Sequence, residues 1–336
     1  MARVSQADIA RELGISQMTV SKAIRGAPRI SEELREKVLR QAREMGYRPN
    51  RLARSLQGGR TRMVGFLAPT FSGRFFSGLL RAIQQRLAAD DYHVLLWQQE
   101  AGVSVDDRPI RAFQEYQVDG IIACARHTVP WEESIYARME MKEPVVYVDN
   151  RADLPGAHNV FSDDADGMRQ VIEHLVRRGH QRIAFLYPDS QSGTVHSRLE
   201  GFRAAMAAKG LDPVTCACTE TESDRIRAGH LRGFLTRDQP DLTALTCHND
   251  PLAMRVLGFL EGEGLSVPGD VSLVGYGDDL RFAEKMAVPL TTVEQHPHRM
   301  GRRAAESLLH LLEDEEVPHD QAEPVSLVVR ESVADV

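Results

Sequence analysis

Residues 5–25 read SQADIARELGISQMTVSKAIR. Ser5, with Asp8 three residues on, forms a capping pair ahead of a helical pattern in which Ile9, Ala10 and Leu13 share one face. Gly14 interrupts that pattern, Ile15 is apolar, and Ser16 caps a second helix that begins at Gln17. A short turn holding a glycine between two helices is the requirement of a helix-turn-helix. At ~100° per residue, Val20, Ala23 and Ile24 gather on one side of the second helix. Gln17, Met18, Ser21, Lys22 and Arg25 gather on the other. An outward face of amide, thioether, hydroxyl and cation suits the major groove of a duplex, where Gln pairs with an adenine edge, Met meets a thymine methyl, and Lys or Arg reaches guanine or phosphate. The plain alternative is a helix whose polar side only faces water. The turn, the local charge and the segment that follows favour the groove.

Working outward, Ser31 caps a third helix with Glu32 and Glu33 in its first turn, at the positive end of the helix dipole. Leu34, Val38, Ala42 and Met45 repeat at spacings of four and three until Gly46. Three short helices with a common apolar side make a compact unit. Residues 46–59 then read GYRPNRLARSLQGG. Pro49 keeps Arg48 extended, Asn50 caps a brief helix from Arg51 to Gln57, and Gly58 with Gly59 ends it. A helix below ~12–15 residues is marginal in water. Leu52, Ala53 and Leu56 would stay exposed without a partner, while Arg51 and Arg54 point to phosphates. The segment therefore reads as a linker that becomes helical when paired with a second copy on DNA, a leucine wedging into a minor-groove step. A flexible basic linker is the other reading.

Charge supports a polyanion partner for this end of the chain. Residues 1–60 carry 13 Lys+Arg against 6 Asp+Glu, a net of +7, and the remaining residues a net of −14. The whole chain, 336 residues at net −7, therefore joins a basic head to an acidic body. Its 42% hydrophobic and 26% charged residues are ordinary for a globular protein of two or three domains. No apolar run approaches the ~18–20 residues needed to cross a bilayer, and the polar start has no cleavable apolar segment. A cytoplasmic protein that inserts in no membrane is expected. Four cysteines make no disulfide framework, and Cys216 with Cys218 is a weak metal signal without a second pair.

From Met63 the chain alternates strand-like runs (MVGFLAP, HVLLWQ, GIIAC, PVVYVD, RIAFLYP, ALTCHN, VSLVGYG) with amphipathic stretches. The helical stretches fall near 76–90, 107–117, 131–142, 165–179, 197–210 and 251–264. That rhythm predicts parallel sheets in two doubly wound α/β subdomains, with ligands beyond the carboxyl ends of the strands. The residues just past those ends are Phe75, Trp97, Arg126, Asp149, Arg151, Asp163, Asn249, Asp278 and Asp279. Carboxylates, arginines and aromatics together suit a polyhydroxylated ligand, through bidentate hydrogen bonds and ring stacking. Strand-end loops are polar in any α/β protein, so a solvated role is the alternative at each position.

The motifs ADIARELGISQMTVSKAIRG (7–26), ISEELREKVLRQAREMGYRPNRLARSL (30–56), VDGII (118–122), HLVRRGHQRIAFL (174–186) and RLEGFRAAM (198–206) occur in order, followed by HNDPLAMRVL (248–257), VPGDVSLVGYGDD (267–279) and PLTTVEQ (289–295). With them the chain resembles the lactose-repressor (LacI/GalR) family of bacterial transcription regulators over essentially its full length. The resemblance implies a helix-turn-helix head at 1–48, a hinge helix or linker at 49–60, and a type I periplasmic-binding-protein-like core at 61–336. The core divides into an N-subdomain of about 62–162 and 291–324 and a C-subdomain of about 163–290 and 325–333. The family's members dimerise on pseudo-palindromic operators and change operator affinity when a small metabolite enters the cleft.

Residue by residue, the resemblance gives Gln17 and Met18 a base-reading role and Leu56 the intercalating one, within a DNA-contacting set of Ser5, Ser16, Gln17, Met18, Thr19, Ser21, Lys22, Arg25, Asn50, Arg51, Ala53, Arg54 and Leu56. The candidate effector set comprises Phe75, Phe76, Trp97, Arg126, Asp149, Arg151, Asp163, Arg198, Asn249, Asp278, Asp279 and Gln295. The chain departs from the family's pattern in three places. Gly73-Arg74 stands where Asn-Pro commonly precedes the Phe pair, Gly277 is added within the Gly-aromatic-Asp-Asp motif, and Asn150 separates a common Asp-Arg pair. No leucine heptads follow Arg330. A double-stranded operator, a homodimeric partner and a sugar or sugar-acid effector are the expected partners, with no cofactor or metal. Arg74, Arg126 and Arg151 make room for an anionic sugar, whereas a purine would want aromatics on both ring faces. A plain sugar-binding protein would not need the head. An enzyme is disfavoured because G-x-S-x-G, P-loop, H-E-x-x-H and Rossmann fingerprints are missing and His296 with His298 reads as surface or capping.

Overall fold

The structure, a computed structural model, describes residues 4–24, 26–28, 30–47, 60–71, 73–99, 107–124, 142–190, 192–218, 228–239, 241–278 and 288–336. The chain separates into two compact units, Met1–Thr61 and Arg62–Val336.

The first unit holds three helices, α1 (Gln6–Leu13), α2 (Gln17–Ile24) and α3 (Glu32–Glu44). The Ser5 hydroxyl accepts from the Asp8 N–H, and the Asp8 carboxylate accepts from the Ser5 N–H in return, a complete capping box. These bonds hold the Asp8 carboxyl below its ordinary pKa. Ser16 and Ser31 cap α2 and α3 by accepting from Thr19 N–H and Leu34 N–H. Gly14 ends α1 at φ +66°, a left-handed conformation that lets its N–H turn back to the α1 carbonyls and swing the chain into α2. Ile9, Ala10, Val20, Ala23, Val38 and Ala42 form the core of the unit.

In the second unit, strands β1 (Met63–Ala68), β2 (His93–Gln98), β3 (Gly120–Ala123), β4 (Val145–Val148) and β5 (His158–Ser162) alternate with helices α4 (Arg74–Ala88) and α5 (Arg108–Glu115). Then come α6 (Asp164–Arg177), β6 (Ile183–Pro188), α7 (Gly193–Ala208), β7 (Val214–Cys218), α8 (Ala228–Gly233), β8 (Ala244–Cys247), α9 (Asp250–Gly262) and β9 (Ser272–Val274). β10 (Thr292–Glu294), α10 (Pro297–Leu312), β11 (Asp320–Glu323) and β12 (Ser326–Val328) complete it. A six-stranded sheet runs β11-β5-β4-β3-β1-β2 and a four-stranded sheet β7-β6-β8-β9. Every pairing within these two sheets is parallel. Helix α10 packs on α4 and on β3–β5, so its residues Met300, Ala304, Ala305 and Leu308 belong to the core of the first lobe. Among the described residues, no helix is long and apolar enough to cross a membrane.

The architecture is the all-α head with a two-sheet α/β core that the sequence predicts. One boundary moves. β10 pairs antiparallel with β12, and Thr291 and Glu294 bridge in parallel to Val274 and Gly277, so residues 291–294 line the second sheet. The return to the first lobe falls at about 295–296, beyond the 290/291 division expected. The stretch near 131–142, read as helical, lies outside the described residues apart from its end.

The polypeptide passes between the lobes at three places, after β5, after β10 and after β11. These passages are tied to each other. Gln295 Nε2 donates to Ser162 Oγ at 2.6 Å, and the Asp163 N–H donates to the Glu323 carbonyl at 2.9 Å.

Candidate nucleic-acid interface and effector cleft

In the head, α2 turns Val20 and Ala23 fully inward. Gln17, Met18 and Lys22 stand exposed on its other side, Met18 by 66%. A thioether so exposed gains nothing from folding and is free to meet an apolar group on a partner. Ser5, Ser16 and Thr19 have local duties: Ser5 caps α1, and Ser16 caps α2 while its hydroxyl lies 2.8 Å from that of Thr19. Ser21 is half-buried. Arg25, Asn50, Arg51, Ala53, Arg54 and Leu56 lie outside the described residues.

In the core, topology selects the ligand-facing loops. β1 has β2 on one side and β3 on the other, and β6 has β7 and β8, so chain connections diverge at both places. Such switch points open a crevice at the carboxyl ends of the strands. The loop after β1 delivers Arg74 and Phe75, the loop after β6 delivers Ser192, and the turn after β8 delivers His248 and Asn249.

A buried polar cluster lies behind these loops. Arg198 on α7, 4% exposed, donates from Nε to Asp164 Oδ1 at 3.1 Å and from Nη1 to the His248 carbonyl at 2.7 Å. Its guanidinium carbon lies 3.9 Å from the centroid of the Tyr276 ring. Tyr276 donates from its hydroxyl to Asp164 Oδ1 at 2.8 Å, and Ser197 donates to Asp164 Oδ2. Burial works against the charge on Arg198, but Asp164, Tyr276 and Asp149 outweigh it and raise the pKa. Burial, then Asp164, pushes the Tyr276 hydroxyl well above its ordinary value, so it remains a donor. Arg198 is thereby a fixed cation. Gly167 makes room for the cluster, because a Cβ there would strike the Tyr276 hydroxyl.

Residues 6–50 match the model of the bacterial regulatory proteins, lacI family, and residues 172–333 match the periplasmic binding protein-like domain. The HTH-type transcriptional repressor PurR of Vibrio campbellii is 30% identical over 315 residues, spanning 92% of each chain. The chain belongs to the lacI family of bacterial regulatory proteins. Among solved structures, the lac repressor dimer bound to operator and the anti-inducer ONPF superposes with a TM-score of 0.85 at 26% identity, covering 99% of this chain and 100% of that one. The transcriptional regulator CelR in complex with cellobiose gives 0.68 at 27% identity, over 98% and 100%. Both matched families are regulatory or binding modules, not enzyme families.

Within this LacI-family core, the expected effector residues divide. Asp163 caps α6 by accepting from Asp166 N–H, beside Asp164, whose central position the sequence reading missed. Asn249 caps α9 through Leu252 N–H and adjoins the His248 carbonyl that Arg198 grips. Asp149 takes a left-handed φ of +76° at the end of β4 and contributes its charge to Arg198. Phe75 is buried in the first lobe's core, with Phe76 edge-on to it at 5.2 Å. Trp97 lies near the carboxyl end of edge strand β2 and packs partly on the cluster containing Leu67 and Phe113. Gln295 is committed to Ser162. Arg151 makes a bidentate pair with Asp320, which aligns with Asn159 toward the amino end of β5, so it is not brought to the crevice. Asp278 is held by two arginines, Arg74 and Arg330. Arg126 and Asp279 lie outside the described residues.

In sequence, Asn150 only separates a common Asp-Arg pair. It is buried, and its Oδ1 accepts from Ser192 Oγ at 3.0 Å and from Thr194 N–H at 3.3 Å across the crevice. A residue between a matched Asp and Arg carried no chemical signal of its own; only the return of α7 toward β4 gives it partners.

Proposed function

We propose that this LacI-family regulator is a cytoplasmic homodimeric repressor of a pseudo-palindromic operator. Its grip on DNA is set by a carbohydrate or sugar acid held between the two lobes. The observation that carries the reading is the α2 face, where exposed Gln17, Met18 and Lys22 stand opposite a closed apolar core. Around Arg198, fixed charge and directional acceptors converge at the strand ends, which suits vicinal hydroxyls. The cellobiose complex of a relative supports that ligand class.

Effector binding would change the closure of the lobes and so the spacing at which two hinge segments enter the heads, coupling the two equilibria. The hinge step and the Leu56 wedge concern residues outside those described.

The test uses the full chain. Selection from random duplexes should return a two-fold symmetric motif, and thermal-shift screening against sugars, sugar acids and nucleobases should raise the melting point with one of the first two. No enriched motif at low salt would reject the operator reading. Stabilisation by nucleobases alone would replace the carbohydrate. Within the motif, Gln17→Ala should relax preference at one base position in each half-site, by ~1–3 kcal/mol. A uniform loss on all sequences, measured by competition titration, would reassign Gln17 to phosphate.

A further inference from the structure

Asp278 was expected among the ligand-gripping groups, yet both of its carboxylate oxygens already have cationic partners. Oδ1 accepts from Arg330 Nη2 at 2.8 Å, and Oδ2 accepts from Arg74 Nη1, also at 2.8 Å. The same Arg74 nitrogen donates to the Asp278 main-chain carbonyl at 3.1 Å. The two arginines come from different places. Arg330 belongs to the second lobe's side, where its Nη1 donates to the Leu290 carbonyl and its N–H to Thr291 Oγ1. Arg74 opens α4 in the first lobe.

The side chains also differ in exposure. That of Asp278 is 7% exposed and that of Arg330 13%, whereas that of Arg74 is 45% exposed. Asp278 adopts a left-handed φ of +46°, and the preceding Gly277 donates its N–H to the Val293 carbonyl at 2.7 Å. A non-glycine residue stays in that region only where its surroundings fix it. The carboxylate is therefore set from within its own lobe and presented to a cation arriving from the other.

We propose that Arg74 and Asp278 form a latch across the mouth of the effector cleft, with Arg330 as the positioning residue that aims the carboxylate. Glu294 Oε1, 3.8 Å from Arg74 Nη2, adds a weaker second acidic contact on the same side. Arg74 stands where the family commonly has Asn-Pro before the aromatic pair. Asp278 holds the cleft closed and is not an effector ligand. Loss of Arg74 leaves Asp278 neutralised by Arg330, so Arg74→Gln deletes the bridge without stranding a buried charge.

The latch borrows the effector reading only for its consequence, and its test needs neither effector nor operator. All four native cysteines, Cys124, Cys216, Cys218 and Cys247, are buried. Gln85→Cys on α4 and Glu261→Cys on α9, both at exposed positions, can carry spin labels on the full chain, diluted with unlabelled chain to isolate distances within one protomer. Arg74→Gln should lengthen and broaden the inter-lobe distance distribution, and Arg330→Gln should do so to a smaller extent. Arg74→Gln with Asp278→Asn should give the same inter-lobe distribution as Arg74→Gln alone, since the contact between the lobes is already lost and the Arg330 pair that Asp278→Asn also removes lies within the second lobe. Arg81→Gln, an exposed arginine on the same helix, should leave the distribution unchanged. An Arg74→Gln distribution that superimposes on the parent's, or an equal change from Arg81→Gln, would overturn the latch. The effector reading would survive either result, because it is judged by ligand stabilisation.

Discussion

Arg198→Ala should lower the stability of the core by ~3–5 kcal/mol, the usual cost of removing one member of a buried ion pair. At ~2–4 °C per kcal/mol for a domain of roughly this size, differential scanning calorimetry should register a fall of about 10 °C. The reason is Asp164. Without Arg198 that buried carboxylate keeps, among the described residues, the Tyr276 and Ser197 hydroxyls and no cation. Adding Asp164→Asn should return part of the loss, because the stranded charge goes too. Arg198→Lys should fall between, since an ammonium cannot both serve Asp164 and the His248 carbonyl in a fork and stack on Tyr276. A loss below ~1 kcal/mol for Arg198→Ala, the range of exposed pairs, would mean that the cluster does not organise this lobe. The same variant should lose its response to whichever ligand stabilises the parent, because a mobile or missing cation cannot orient hydroxyls.

Val20→Asp should abolish operator retention while leaving the main thermal transition of the core in place. Val20 is fully buried in a cluster with Ile9, Ala10, Ala23, Val38 and Ala42, so a carboxylate there would lie among apolar side chains. Burying an unpaired charge costs several kcal/mol, comparable with all the stability that so small a unit has to lose. Circular dichroism should lose a small helical component, and gel retardation should fail on every duplex. Retained retardation would show that the three-helix unit is not what holds DNA. Met18→Asp is the contrast, because it changes the groove-facing side without touching the core and should spare the circular dichroism signal.

The sequence made these elements unequally legible. Helix starts were readable because Ser5, Ser16 and Ser31 each satisfy a main-chain N–H three residues on, a local interaction. Buried parallel strands such as Met63–Ala68 and Ile183–Pro188 were readable from their continuous apolar runs. β11, with the sequence DQAE, has no such signal; it is a strand because β5 supplies its hydrogen-bonding partner and α10 brings it there. β10 and β12, three residues each, exist through their mutual pairing.

The site divides in the same way. Arg198 and Asn249 stand in motifs that make them candidates, and the structure places both beside the His248 carbonyl. Asp164 hid behind its neighbour Asp163, as adjacent carboxylates differ only in which way the chain turns them. Asp278 and Asp279 are equal candidates in sequence, because a strand-end carboxylate looks alike whether it meets a hydroxyl or, as Asp278 does, two guanidinium groups.

The triple passage between the lobes restricts how the core can deform. A single connecting strand would act as a swivel and allow twisting about its own axis. Three side-by-side strands, stitched by Gln295 to Ser162 and by Asp163 to Glu323, behave instead as a flat leaf spring, stiff to torsion and compliant in one bending direction. A displacement of one lobe against the other is thereby confined to a tilt with a fixed plane.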